Sequence, residues 1–390
     1  MCQEHFFTFE TSSRAHLLTL FSVAMPALLL HPRWRICIPI EHFKCKNNSD
    51  HLLMRHSWEQ RMMVLACLPL PFWCFVNDAT FFIKTEEILK TLIVIIGPTG
   101  IGKTALSLDV AESLGCPILS ADSRQLYRDL PIGTAAPTAE EQARVKHYFV
   151  GQLGLEEYYS AARYEEACLQ VIESEFAKHD ALVLTGGSML YVDAVCNGID
   201  DIPTINEQTR QWMRERFEKE GLPALVEELR QLDPEYHAIC DLQNPKRVVH
   251  ALEICHQSGH TYTSFRVGVK KRRPFRILKI GLRRERDDLF ARINARVGLM
   301  VEQGLLDEAR RVLPYRHCNS LNTVGYKELF KHFDGEWELD FALDRMRKNT
   351  RVYAKKQMTW FNKDPEIHWF HPDNEAEIRN FIQNQTDYPC

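Results

Sequence analysis

The sequence predicts an α/β fold: a P-loop-containing doubly wound parallel sheet with an all-helical insertion domain. Three observations carry this. TLIVII, an unbroken apolar run, leads through GPTGIGKT into the helical TALSLDVAESLG. Further strand-like runs, CPILSAD, HYFVG, DALVLT and FRILKIGL, then alternate with helical segments, the pattern of a parallel sheet wound with helices. Between Pro203 and Pro274 the strand signals stop and only short helical segments appear.

Each element follows from its residues. TLIVII lacks polar alternation, as in a strand buried on both faces. YSAARYEEACLQVIESEFAKHD has the helical apolar period before the strand DALVLT. The insertion reads as INEQTRQWMRERFEKEG, PALVEELRQLD, PEYHAICD and PKRVVHALEICHQSG. After LRRERDD come DLFARINARVGLMVEQG, VGYKELFKHF and a long helix from about Glu338 to Phe361. The expected core is residues 89–202 and 275–371, the insertion 203–274, and 372–390 a C-terminal tail. Residues 1–88 lack clear periodicity and read as an extension outside the fold, disordered or an artefact of an early start site; a small accessory domain is the alternative.

A chain of 390 residues with 45% hydrophobic and 26% charged residues is ordinary for a globular protein, which excludes disorder and collagen-like repeats. The net charge of -4 argues against wholesale coating by nucleic acid and leaves room for a local basic path. The 12 cysteines are scattered, without zinc-site spacing, and read as reduced thiols of a cytoplasmic protein. LLTLFSVAMPALLL and MMVLACLPLPFWCFV are too short and too proline-interrupted to span a membrane, and no membrane partner is expected.

The chemistry begins at GPTGIGKT, which matches the P-loop of nucleotide- and ATP-binding proteins. In the loop Gly97, Pro98, Thr99, Gly100, Ile101 and Gly102, the three glycines let backbone amides turn toward an anion, and the following helix adds its positive end. Lys103 supplies a mobile charge and Thr104 a hydroxyl for Mg2+. An ATPase normally carries a second strand ending in an acid, whereas ALVL ends in Thr185-Gly186-Gly187-Ser188. The acid comes instead from SADSRQLYRDLPIGTAAP, where Asp122 ends the strand after the P-loop helix. It is placed either to take a proton or orient Mg2+, or to cap the turn before Ser123-Arg124-Gln125.

GPTGIGKT, SADSRQLYRDLPIGTAAP, TGGSMLYVDAVCNGIDDIP, NPKRVVHALEI, DLFARINARV, NTVGYKEL and TRVYAKKQMTWF occur in the order and spacing of the tRNA dimethylallyltransferases. The resemblance covers about residues 90–371. It implies transfer of a dimethylallyl group from dimethylallyl diphosphate to the exocyclic amine of the adenosine 3′-adjacent to the anticodon, in tRNAs reading codons that begin with U. Asp122 then resembles the family's general base, with Lys103, Thr104, Mg2+ and the loop amides on the departing pyrophosphate and Arg296, four residues from Arg292, beside the diphosphate.

The same resemblance implies contacts with the tRNA anticodon arm through Asp122, Ser123, Arg124, Gln125, Ser188, Arg210, Lys246, Arg247 and His250. Ser188 stands where the family usually has Thr, Lys246 where it has Gln, and His250 where it has Arg. KKRRPFR and the set Lys348, Arg351 and Lys355 offer further phosphate contacts, while Tyr326, Tyr353, Trp360 and Phe361 read first as packing residues. A monomer is expected. A P-loop kinase for a nucleoside or another small molecule and a P-loop RNA-binding module without chemistry are the rival readings.

Overall fold

The structure, a computed structural model, describes residues 89–386; the 1–88 extension and residues 387–390 lie outside them. A six-stranded, wholly parallel sheet runs β3-β2-β4-β1-β5-β6. Its strands are β1 (Thr91–Ile96), β2 (Ile118–Ser120), β3 (His147–Tyr148), β4 (Ala181–Gly186), β5 (Arg276–Leu282) and β6 (His368–Phe370). The chain winds outward from β1 to β2 and β3, returns through β4, and continues past β1 to β5 and β6. Crossovers taken in opposite directions from β1 make the sheet doubly wound. β1 is central and all six of its residues are buried, as its uniform apolar run requires.

Around the sheet lie α1 (Lys103–Leu114), α2 (Ala139–Arg144), α3 (Ala161–Phe176) and α4 (Met189–Asn197). Thr138 caps α2 in a reciprocal capping box with Glu141, and Ser160 caps α3 through the amide of Arg163. The insertion comprises α5 (Glu207–Leu232), α6 (Pro234–Ile239), α7 (Pro245–Ser258) and α8 (Tyr262–Phe265). α5 breaks at Gly221, whose φ of 76° is followed by Pro223. Met213, Leu225, Leu229, Tyr236, Val248, Ala251 and Leu252 give the insertion its own apolar cluster. Buried Asp233 ties it together, accepting from the Tyr236 amide at 3.0 Å and from the Thr263 amide and hydroxyl at 2.7 Å each.

The remaining helices are α9 (Arg286–Glu302), α10 (Leu305–Val312), α11 (Tyr326–Phe333), α12 (Leu339–Phe361) and α13 (Glu375–Gln385). The last of these corrects the expected tail at 372–390. Ile378 and Ile382 are fully buried in the main core, β6 pairs with the outer side of β5, and Phe381 of α13 packs against His368 and Phe370 of β6. The strand HWF is too short to signal itself by alternation, and pairing with β5 defines it.

Candidate active site at the carboxyl edge of the sheet

Three strand ends build the site. After β1 the P-loop turns through Gly102, φ 111°, into α1, which starts without a side-chain cap, so no side chain takes its leading amides. After β2 comes Asp122. β4 lies between β1 and β2, so the Gly186-Gly187 turn separates the P-loop from Asp122. A Cβ on Gly186 would sit 2.2 Å from the Ala121 carbonyl oxygen, and one on Gly187 would sit 2.4 Å from Gln357 Nε2. Only glycines allow the three strand ends to converge.

Asp122 caps its own turn. Its Oδ1 accepts the amides of Arg124 at 2.9 Å and Gln125 at 3.4 Å, which fixes the turn. Its charge also acts on Lys103, Arg296 and Tyr353. Lys103 is half-buried as a residue, but its ammonium end is withdrawn from water. Nζ donates to the Gly97 and Pro98 carbonyls at 3.0 Å each. Burial pushes its pKa down to about 8; Asp122 opposes the fall and Arg296 adds to it. Burial likewise lowers Arg296, against the pull of Asp122. Two cations thus face one carboxylate, leaving a desolvated positive excess.

Asp122, Arg296 and Tyr353 border a cavity of about 260 Å³, and Lys103 is not among its lining residues. Thr99, Asp122 and Arg296 line its polar end, while Ile293, Val297, Met300, Val324 and Met346 supply an apolar wall. A wider depression of about 380 Å³ beside Ala111, Arg144 and Glu175 involves none of these residues, and its charges are largely paired with one another.

Other predicted residues are placed as follows. Thr104 is exposed at the start of α1. Ser188 is buried; its hydroxyl accepts the Ser123 amide at 2.8 Å and donates to Ser123 Oγ at 3.1 Å, so it holds the Asp122 turn. Arg124 Nη1 donates to the Asn319 and Ser320 carbonyls at 2.8 and 3.2 Å. Gln125 accepts from Ser120 Oγ and donates to the Ala135 carbonyl, bracing the loop after Pro131. Arg292 Nε reaches the Gly100 carbonyl at 3.3 Å.

Arg210 stacks over Tyr158 at 4.6 Å. Lys246, Arg247 and His250 are exposed on the first turns of α7, outside the cavity, and His250 Nδ1 lies 3.5 Å from Glu253. Of the basic run, Lys271 pairs with Asp201, Arg273 with buried Glu165, and Arg276 with Gln385, so these three are structural. Lys270 and Arg272 are exposed.

Sequence reasoning missed two buried residues. Glu308 accepts the Ile132 and Gly133 amides at 2.9 and 2.8 Å and the Tyr326 hydroxyl at 2.6 Å, which fixes the loop carrying Gly133 and Thr134. Gln357 accepts the Thr99 amide and donates to Gly187. Both are polar residues on the apolar face of a helix, a signal visible in sequence only once the face is known. Among the described residues, Glu156, His317 and Cys318 are the group whose donor atoms cluster within 4.8 Å, and none of them lines the cavity. Six cysteines are free thiols, and no helix among the described residues is long and apolar enough to cross a membrane.

Fold and site together define an α/β protein whose glycine-rich P-loop sequence and buried Lys103 ammonium lie near a carboxylate, Asp122, that lines a cavity with apolar residues. The family model described as IPP transferase matches residues 125–364. The tRNA dimethylallyltransferase 1 of Bacteroides thetaiotaomicron is 61% identical over 77% of this chain and 98% of its own length. That of Phocaeicola vulgatus is 61% identical over 75% and 98%. Among solved structures, the tRNA isopentenylpyrophosphate transferase of Bacillus halodurans aligns with a TM-score of 0.57 and 34% identity, covering 76% of this chain and 97% of its own. The chain belongs to the IPP transferase family.

Proposed function

We propose that this protein transfers the dimethylallyl group of dimethylallyl diphosphate to the exocyclic amine of the adenosine 3′-adjacent to the anticodon, in tRNAs reading codons that begin with U. The products are N6-dimethylallyladenosine and pyrophosphate. The observation that carries the reading is that Asp122 and Arg296 line one cavity with an apolar wall and that both their charges act on the buried ammonium of Lys103 in the P-loop. The names of the relatives, tRNA dimethylallyltransferase, support it.

The chemistry follows from these groups. The amine lone pair is shared with the adenine ring, so attack needs removal of its proton as the bond forms. The N6–C1 bond forms, the C1–O bond breaks with its electron pair leaving on pyrophosphate, and the amine proton passes to Asp122. With Oδ1 held by the turn amides, the other oxygen of Asp122 has no hydrogen-bond partner among the described residues and is the one available to the proton. Lys103, Arg296 and the leading amides of α1 stabilise charge gathering on the leaving group. The apolar wall receives the dimethylallyl chain and keeps water from the electrophilic carbon.

Mg2+ would be held by oxygen donors, the Thr104 hydroxyl, exposed at the start of α1, and Asp122, which lines the cavity. When bound, the ion neutralises diphosphate charge. The anticodon arm is held through Arg210, Lys246, Arg247 and His250 on the insertion and through Lys348, Arg351 and Lys355 on α12, with Ser123, Arg124, Gln125 and Ser188 shaping the adenine pocket. The target base leaves its stack to reach Asp122. The enzyme acts in the cytoplasm as a monomer.

The test is incubation of the purified protein with unmodified tRNA, Mg2+ and labelled dimethylallyl diphosphate. Label in the tRNA is expected. No transfer, with ATP hydrolysed or used to phosphorylate a small molecule, overturns the assignment.

A further inference from the structure

The P-loop is held from outside as well as by its own turn. Gln357, on the inner face of α12, is 1% exposed. Its Oε1 accepts the Thr99 amide at 2.9 Å, and its Nε2 donates to the Gly187 carbonyl at 2.7 Å. Those two backbone groups belong to the loops after β1 and β4, so one carboxamide ties two strand ends to a helix more than 250 residues beyond the P-loop. A Cβ on Gly187 would lie 2.4 Å from the Gln357 nitrogen and 3.7 Å from Lys103 Nζ. The carboxamide therefore sits beside the ammonium group that grips phosphate.

We infer that Gln357 is a positioning residue that sets the P-loop's shape for the diphosphate. Its two bonds divide the labour with Lys103. The lysine satisfies carbonyls on the Gly97 side of the loop, and the glutamine satisfies the amide that follows. When diphosphate draws Lys103 away from the Gly97 and Pro98 carbonyls, the Thr99 to Gln357 bond keeps the loop from relaxing. Apolar or shortened side chains cannot do this, because the half-buried Thr99 amide would lose its acceptor and the Gly187 carbonyl would keep only the longer bond from the Tyr353 hydroxyl, at 3.4 Å. No other amino acid of this length carries a neutral donor and acceptor on one planar group.

The inference rests on the proposed diphosphate site, and the experiment separates the two. The full chain and its Gln357→Met variant, which keeps the volume and removes both hydrogen bonds, are titrated with inorganic pyrophosphate and Mg2+ by calorimetry. KM is measured for dimethylallyl diphosphate and for tRNA. The expected result is a rise of about tenfold in pyrophosphate Kd and dimethylallyl diphosphate KM, with the tRNA KM within about twofold. Thermal unfolding and circular dichroism of the same samples verify the fold.

Gln357→Glu keeps an acceptor for Thr99 but places a carboxylate near Lys103. It should retain slow exchange of the Thr99 amide while losing pyrophosphate affinity. Unchanged pyrophosphate binding in Gln357→Met, parallel loss for both substrates, or fast Thr99 exchange in the wild-type protein overturns the inference. Failure of the wild-type protein to bind pyrophosphate would instead sink the diphosphate site itself.

Discussion

The Ser188 hydroxyl accepts the Ser123 amide at 2.8 Å, so the residue after Asp122 is fixed by the end of the neighbouring strand. Asp122, the proposed base, is thus oriented by the end of β4 and by its own turn, and needs no substrate to be placed. Replacement of Asp122 by Asn keeps the shape and most of the turn acceptor but removes the proton acceptor. We expect kcat to fall by about 10²–10⁴ with the KM for dimethylallyl diphosphate changed little. Single-turnover transfer of labelled isoprenoid checks this, and retention of wild-type kcat would exclude Asp122 as base.

How much of this was readable in the sequence varies with distance along the chain. The P-loop, the strand TLIVII and Asp122 are local patterns, and they fall where the pattern puts them. What was not local was hidden. Asp122 reads as adjacent to the P-loop, but β4 stands between, a fact fixed only by strand pairing. Ser188 reads as a hydroxyl for substrate, and its bonds to the Ser123 amide and hydroxyl come from a neighbouring strand end that the sequence does not show. Glu308 and Gln357 reach loops 176 and 258 positions away, and no periodicity announces such a contact. Arg273 looks like one charge in a basic run, yet it is the buried partner of Glu165.

Lys103 gives the site a pH signature. Its pKa is pushed down to about 8 in the empty protein by burial, against an ordinary value of 10.5. Diphosphate brings negative charge to the ammonium group and favours its protonated form, so binding raises the pKa. Below pH 8 the lysine is already charged and affinity is steady. Above pH 8 each binding event must take up a proton, and affinity falls as pH rises. Calorimetry with pyrophosphate at pH 9, in two buffers of different ionisation enthalpy, should show proton uptake approaching one; at pH 6.5 it should be near zero at this group.

The tightness of the β4 turn sets a stability prediction. In Gly186→Ala the added methyl meets the Ala121 carbonyl oxygen at 2.2 Å, and the neighbour is backbone that cannot swing away. Forcing the strand ends apart should cost about 1–3 kcal/mol and displace Asp122, lowering transfer as well. Urea unfolding followed beside the activity assay measures both, and an unaltered midpoint would show that the strand ends are not in contact.

Tyr326 and Glu308 provide a test away from the reacting groups. Tyr326→Phe removes one of three donors to a fully buried carboxylate, leaving the Ile132 and Gly133 amides. A loss of about 1–3 kcal/mol in unfolding free energy is expected, with a smaller effect on kcat than that of Asp122→Asn. Equal stability of the two proteins would mean that the phenol does not bond to Glu308.

Two arginines of similar sequence context should behave oppositely. Arg247 is exposed on α7, and Arg273 is buried, with only 8% of its side chain accessible, against Glu165 at 2.7 Å. Arg273 also donates to the Ala194 and Val195 carbonyls, so its loss strips Glu165 of its cation and unfastens the end of α4. Arg273→Ala should therefore destabilise the fold by about 3–5 kcal/mol. Arg247→Ala should leave unfolding unchanged. It should weaken tRNA binding and reduce the slope of log affinity against log salt by about 0.7–1, the release of one phosphate contact. Fluorescence anisotropy with labelled anticodon stem-loop across salt, run beside thermal unfolding, distinguishes the two. If Arg247→Ala left the slope unchanged, the first turns of α7 would not touch the RNA backbone, and the path of the anticodon arm over the insertion would have to be redrawn.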